Sequence, residues 1–163
     1  MKKVLYPGSF DPITYGHMDV VDQALNIYDK VIIAAVQNEG KGGGWFTLDE
    51  RKELIKEIYK DNPNIEVITA PANKAVVDIA LQNDCNTLVK GLRDVTDFEY
   101  ERKMAALNLM LSDNKVNTIS LFANPLHTTI SSSNVKAIYN IGKSITAFVH
   151  PIIEEAINKK FSK

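Results

Sequence analysis

The stretch Val4-Leu5-Tyr6-Pro7-Gly8-Ser9-Phe10-Asp11-Pro12-Ile13-Thr14-Tyr15-Gly16-His17 decides the reading of this chain. Residues 4–6 form a short apolar run that reads as a strand. Residues 17–28 carry Val20, Val21, Ala24, Leu25 and Tyr28 at helical spacing. A turn rich in Gly and Pro joins the two. Such a turn, placed between strand and helix, offers backbone N–H groups to an anion. His17 falls at the helix start, where the macrodipole is positive. An imidazole beside main-chain amides and the Ser9 hydroxyl suits a phosphate site.

The alternation continues outward from this unit. Residues 30–36, KVIIAAV, form a continuous apolar run of the kind buried on both faces of a sheet. Thr47-Leu48-Asp49-Glu50 is a capping box, and the helix it opens should bury Leu54, Ile55, Ile58 and Tyr59. Further strands are expected at 66–69, 87–89 and 118–122. Helices are expected at 75–83, 97–111, 131–139 and 151–161, with Pro151 suited to a first turn. The pattern predicts an α/β fold. Its sheet is Rossmann-like, doubly wound, parallel and five-stranded, with helices on both faces. The 163 residues are expected to form a single domain.

Composition excludes several classes of partner. The net charge of −1 gives no basic field, so no nucleic acid is expected. No run approaches the roughly 18 apolar residues of a membrane span, so no membrane is expected. Lys2 and Lys3 precede an apolar run too short for a signal peptide. Cys85 is the one cysteine and cannot form an internal disulfide, which fits a cytoplasmic protein and a buried small side chain.

Ligands of parallel sheets bind beyond the carboxyl ends of the strands. The segments 7–16, 37–46, 90–96 and 123–133 should therefore converge. They bring Ser9, Lys41, Lys90, Arg93, His127 and Ser131 to Ser133 toward His17, at an edge suited to a polyphosphate. Gly40-Lys41-Gly42-Gly43-Gly44 is the obvious flexible stretch. Lys41 is not part of a P-loop, because Gly42 follows it where Ser or Thr is required. The GxGxxG dinucleotide fingerprint is also absent from the first turn. Lys90 and Arg93 flank Gly91, and could face one phosphate or pair with Asp94, Asp97, Glu99 or Glu101. Ser131-Ser132-Ser133 opens a helix with more hydroxyls than one N-cap needs, which suggests a second anion site. His127 could bind a ligand or be an ordinary loop residue.

Taken together, PGSFDPITYGH at 7–17, FTLDER at 46–51, KGLRDVTDFEYE at 90–101 and ISSS at 130–133 resemble the phosphopantetheine adenylyltransferases. The resemblance spans essentially the whole chain. Thr14-Tyr15-Gly16-His17 is this family's form of the HxGH pattern of the nucleotidyltransferase superfamily. A nicotinate mononucleotide enzyme would keep histidine at position 14, and a cytidylyltransferase would show an RTEGIST-like segment in place of ISSS.

The resemblance implies adenylyl transfer from ATP to 4′-phosphopantetheine, reversibly, with Mg²⁺, as a step of coenzyme A biosynthesis. It also implies direct in-line displacement and a homohexamer. Under it, His17 stabilises charge on the α-phosphate, and Ser9, Lys41 and Arg93 join it in the catalytic set. The ATP site would comprise Ser9, Phe10, His17, Gly91, Leu92, Arg93, Glu101, His127, Thr128, Thr129, Ile130, Ser131, Ser132 and Ser133. The acceptor would meet Ser9, Lys41, Val76, Lys90 and Asn108. Position 90 is lysine where the family usually has arginine, which keeps the charge and loses the bidentate fork.

Overall fold

The computed structural model describes residues 1–37 and 44–162. Five strands form one parallel sheet: β1 (Lys3–Gly8), β2 (Lys30–Val36), β3 (Ile65–Ala70), β4 (Thr87–Leu92) and β5 (Asn117–Phe122). The helices among the described residues are α1 (Tyr15–Leu25), α2 (Leu48–Ile58), α3 (Val76–Gln82), α4 (Val95–Leu111), α5 (Ser132–Asn140) and α6 (Pro151–Phe161). A short 3₁₀ turn, Pro125–His127, precedes α5 and was not expected from the sequence.

The strand order is β3-β2-β1-β4-β5, so the winding reverses between β1 and β4. That reversal opens a crevice at the carboxyl ends of the two strands. Strand alternation then sorts the core. Val4, Tyr6, Val31, Ile33 and Ala35 pack with Val21 of α1, Ile55 of α2, Val135 of α5 and Ile153 of α6. Leu5, Ile32, Ala34 and Leu88 point to the other face and pack with Val77 and Ala80 of α3. Each fully buried Leu or Ile contributes about 1.5–3 kcal/mol relative to an exposed one, so this two-sided apolar content holds the sheet in register.

The largest difference from the sequence reading lies in β4. Expected to end at Val89, it runs to Leu92, because Lys90, Gly91 and Leu92 continue the ladder with Ser120, Leu121 and Phe122. Lys90 and Gly91 are thus strand residues, not loop residues. Helix α1 begins two residues earlier than expected, with Thr14 as its N-cap. It also ends three residues early, leaving Tyr28 beyond it. In α2, Ile55 is buried, whereas Leu54, Ile58 and Tyr59 are only partly so.

The capping box of α2 is present as read. Thr47 Oγ1 accepts from Glu50 N–H at 3.2 Å, and Glu50 Oε2 accepts from Thr47 N–H at 2.7 Å. Thr47→Ala is expected to cost about 1 kcal/mol. In a thermal melt that lowers Tm by about 2–4 °C for a chain of this size. An unchanged midpoint would show that the cap contributes nothing. Among the described residues, no helix is long and apolar enough to cross a membrane.

Candidate active site

The crevice between β1 and β4 holds a cavity of about 280 Å³. Its wall brings together Ser9, Phe10, His17, Lys90, Gly91, Arg93, Glu101, His127, Ile130 and Ser131 to Ser133. Three of the four expected segments therefore converge here. From the fourth, Lys41 lies outside the described residues, as do Gly40, Gly42 and Gly43. Leu92 is buried and Thr128 and Thr129 are exposed, and none of the three lines the cavity. Val76 opens α3 and Asn108 lies on α4, and neither lines this cavity. A larger cavity of about 510 Å³ opens at the other end of the strands, among Lys3, Tyr28, Asp84 and Cys85. It has no histidine, arginine or serine in its wall, so size does not mark the site.

His17 is the third residue of α1, and its placement follows from capping. Thr14 Oγ1 accepts from His17 N–H at 3.4 Å, while His17 Nδ1 accepts from Thr14 N–H at 3.0 Å. Histidine here occupies the position that Glu or Gln takes in an ordinary capping box. The T-x-x-H spacing was visible in the sequence, and it is the signal for this geometry. A nitrogen that accepts a hydrogen bond carries no proton, so the neutral ring bears its proton on Nε2. Burial pushes the His17 pKa down from 6.5 to about 4, with the Arg93 and Lys90 charges adding to the shift. The neutral imidazole thus presents a fixed Nε2–H donor at neutral pH.

The cations are partly committed to carboxylates, as one reading of the sequence allowed. Arg93 donates through Nε to Asp97 Oδ2 at 2.9 Å and through Nη2 to Asp97 Oδ1 at 3.2 Å. This bond raises the Arg93 pKa further. Lys90 Nζ lies 3.4 Å from the Pro7 carbonyl and 3.8 Å from Glu101 Oε1. Both cations still line the cavity. Two glycines let backbone approach closely there. A Cβ at Gly91 would come within 2.7 Å of Val20, and one at Gly16 within 2.9 Å of the Ile130 carbonyl.

The serine run divides its work. Ser131 is the N-cap of α5 and accepts from Asn134 N–H at 3.1 Å. Ser132 donates to the Pro12 carbonyl at 2.8 Å, tying α5 to the first turn. Ser131 thus supplies the one N-cap expected of the run, and Ser132 has a structural partner as well. Ser132 and Ser133, in the first turn of α5, line the cavity, so a helix N-terminus, where negative charge is favoured, borders it. His127 Nδ1 sits 3.9 Å from Asp19 Oδ1.

Sequence reasoning passed over one cluster beside the site. Asp11 is buried and accepts from Phe46 N–H at 2.8 Å, Trp45 N–H at 2.9 Å and Lys136 Nζ at 2.7 Å. Burial pushes its pKa up, but the Lys136 bond, the two backbone bonds and the Arg51 charge bring it below the usual carboxylate value.

A strand-turn-helix unit at a parallel-sheet switch point, with histidine at the third helical position, is the arrangement of a nucleotidyltransferase. The cytidylyltransferase-like family model matches residues 5–138. The chain is 42% identical over 163 residues to a phosphopantetheine adenylyltransferase of Caldanaerobacter subterraneus subsp. tengcongensis, covering 100% of this chain and 99% of that protein. Its identity to the one from Alkaliphilus metalliredigens is 41% over 160 residues, covering 98% and 99%. To the one from Geobacter metallireducens it is 38% over 162 residues, covering 99% and 97%. The chain belongs to the phosphopantetheine adenylyltransferase family.

Proposed function

We propose that this chain transfers the adenylyl group of ATP to 4′-phosphopantetheine, giving dephospho-CoA and diphosphate. The observation that carries this reading is the fixed Nε2–H of His17, set in a cavity with two cations and a helix N-terminus. An oxygen of the acceptor phosphate attacks the α-phosphorus as the bond to diphosphate breaks. The arrangement requires no enzyme nucleophile, and the catalytic effect comes from positioning and charge stabilisation. His17 donates to a non-bridging oxygen of the α-phosphate as its charge grows. Arg93 and the α5 N-terminus hold the leaving diphosphate. Lys90 binds the acceptor phosphate as a point charge. The adenosine would lie toward His127, Thr128 and Thr129, with Glu101 orienting Lys90.

Mg²⁺ fits as an ion carried by the nucleotide. Among the described residues, no group of three His, Cys, Asp or Glu side chains could hold a metal. Magnesium commonly keeps its waters and binds through substrate phosphates. When bound, it would neutralise part of the triphosphate charge. A cytoplasmic location goes with ATP as substrate and with Cys85 as an unpaired thiol.

Diphosphate release from ATP and Mg²⁺ tests the reading, with 4′-phosphopantetheine and nicotinate mononucleotide compared as acceptors. Release with phosphopantetheine alone is the expected result. Release only with the other acceptor would overturn the substrate.

A homohexamer belongs to the same proposal. No residue of helix α4 is fully buried, and Val95, Phe98, Tyr100, Leu107, Met110 and Leu111 are large and exposed. Phe122 at the end of β5 and Leu126 are about as bare, at 80% and 82% exposed. Exposed apolar side chains of this size beside an edge strand call for a partner. In sedimentation, the native chain is expected to run as a hexamer and Met110→Asp as a smaller species. A native chain at single-chain mass would sink this part of the proposal.

A further inference from the structure

The FTLDER segment takes no part in the cavity wall, yet it is bound to the turn that forms it. Phe10 stands at the centre of that turn with φ +47°, a left-handed conformation that bulky residues rarely adopt. Its ring is buried, packs over Gly8, and meets the His17 imidazole edge-on at 5.1 Å and 81°. The residues on both sides of Phe10 are held from residues 45–51. Arg51 Nη1 donates to the Ser9 carbonyl at 3.1 Å, and Arg51 Nε donates to the Phe46 carbonyl at 2.8 Å. Asp11 takes the Trp45 and Phe46 N–H groups, and its Oδ1 lies 3.5 Å from Arg51 Nε. Both side chains are buried, at 7% and 6% exposed. Gly44 covers them so closely that a Cβ there would come within 2.8 Å of the Asp11 carboxylate.

We propose that Arg51 and Asp11 are a positioning pair for the transfer reaction, clamping both sides of Phe10 so that its left-handed backbone sets the ring that orients His17. Neither residue touches the cavity, so both act through another group. Arginine is required because one planar guanidinium reaches two carbonyls and the carboxylate together, which lysine cannot do. Burial makes the clamp rigid, since each group would be left without a partner if the turn moved. Misplacement of a reacting group by a fraction of an ångström is enough to lower turnover.

The inference rests on the adenylyl-transfer reading for its activity arm and not for its spectroscopic arm. Arg51→Lys and Asp11→Asn are compared with native protein and with Thr47→Ala, which weakens the same helix without touching the turn. Diphosphate release gives kcat and KM, at a temperature where circular dichroism shows each variant folded. The ring nitrogens of ¹⁵N-histidine-labelled protein are read without substrate, and with three histidines in the chain each is assignable. Arg51→Lys is expected to lower kcat by on the order of tenfold or more with little change in the KM for ATP, and to shift the His17 ring signals. Thr47→Ala should melt earlier and keep both native values. A folded Arg51→Lys with native kcat overturns the proposal, and so does lost kcat with unmoved His17 signals. If Arg51→Lys does not fold, Asp11→Asn, which keeps the carboxylate's shape, is judged by the same criteria. If native protein released no diphosphate, the functional reading would fail. The ring signals would then still decide the clamp.

Discussion

His17→Ala is expected to lower kcat for diphosphate release by about 10²–10³-fold, with KM for ATP changed far less. In the proposed mechanism the Nε2–H donor meets charge that grows only as the α-phosphorus is attacked, so its loss would fall on the transition state. A fall confined to KM would show that the ring merely binds substrate. The same residue has a pH signature. Its unfolded imidazole takes a proton near pH 6.5, and the folded one near pH 4. Between those values the unfolded chain binds more protons, so stability falls as the pH falls through this window. The full loss is on the order of 3 kcal/mol. Thermal melts at pH 7.5 and pH 5 should therefore separate native protein from His17→Gln. The native midpoint should drop more, and equal drops would refute the depressed value.

Arg93→Gln is expected to reduce kcat/KM by about 10²-fold, because the charged donor that the proposed mechanism aims at the phosphates is lost. The substitution also leaves Asp97 without the guanidinium that pulls its pKa down against the upward push of burial. An unpaired carboxylate would then face the phosphate site. Adding Asp97→Asn removes that negative charge. The double variant should recover about tenfold over Arg93→Gln alone, the non-additivity expected of a contacting pair. A double variant no better than the single would mean that Asp97 does not repel the substrate.

Much of the fold was legible because strands and helices write different periods into the chain. The runs 30–36 and 151–161 match β2 and α6 as observed. The Thr47-x-x-Glu50 box marked the start of α2. Where the reading stopped short, pairing had extended an element past its apolar run. Lys90 and Gly91 look like loop residues, yet they stay in β4 because β5 offers them hydrogen bonds. That extension carries Lys90 up to the Pro7 carbonyl and into the cavity wall.

The site was legible in its residue types. His17, Arg93 and the serine run each sat after a strand, and topology alone required that they meet. Their division of labour was not legible. Local spacing could not choose between a phosphate and Asp97 as the partner of Arg93, nor could it show that Ser132 reaches back to Pro12. The Asp11–Arg51 clamp left almost no local signal, since its members lie 40 residues apart and look like ordinary surface charges. By itself, then, the sequence determined the alternation, the parallel sheet and the turn between β1 and α1, because backbone periodicity and turn chemistry act within a few residues. Only the tertiary structure decided which charges pair, which serine caps and which nitrogen of His17 holds the proton. Those outcomes depend on donors and acceptors that burial forces together from distant parts of the chain.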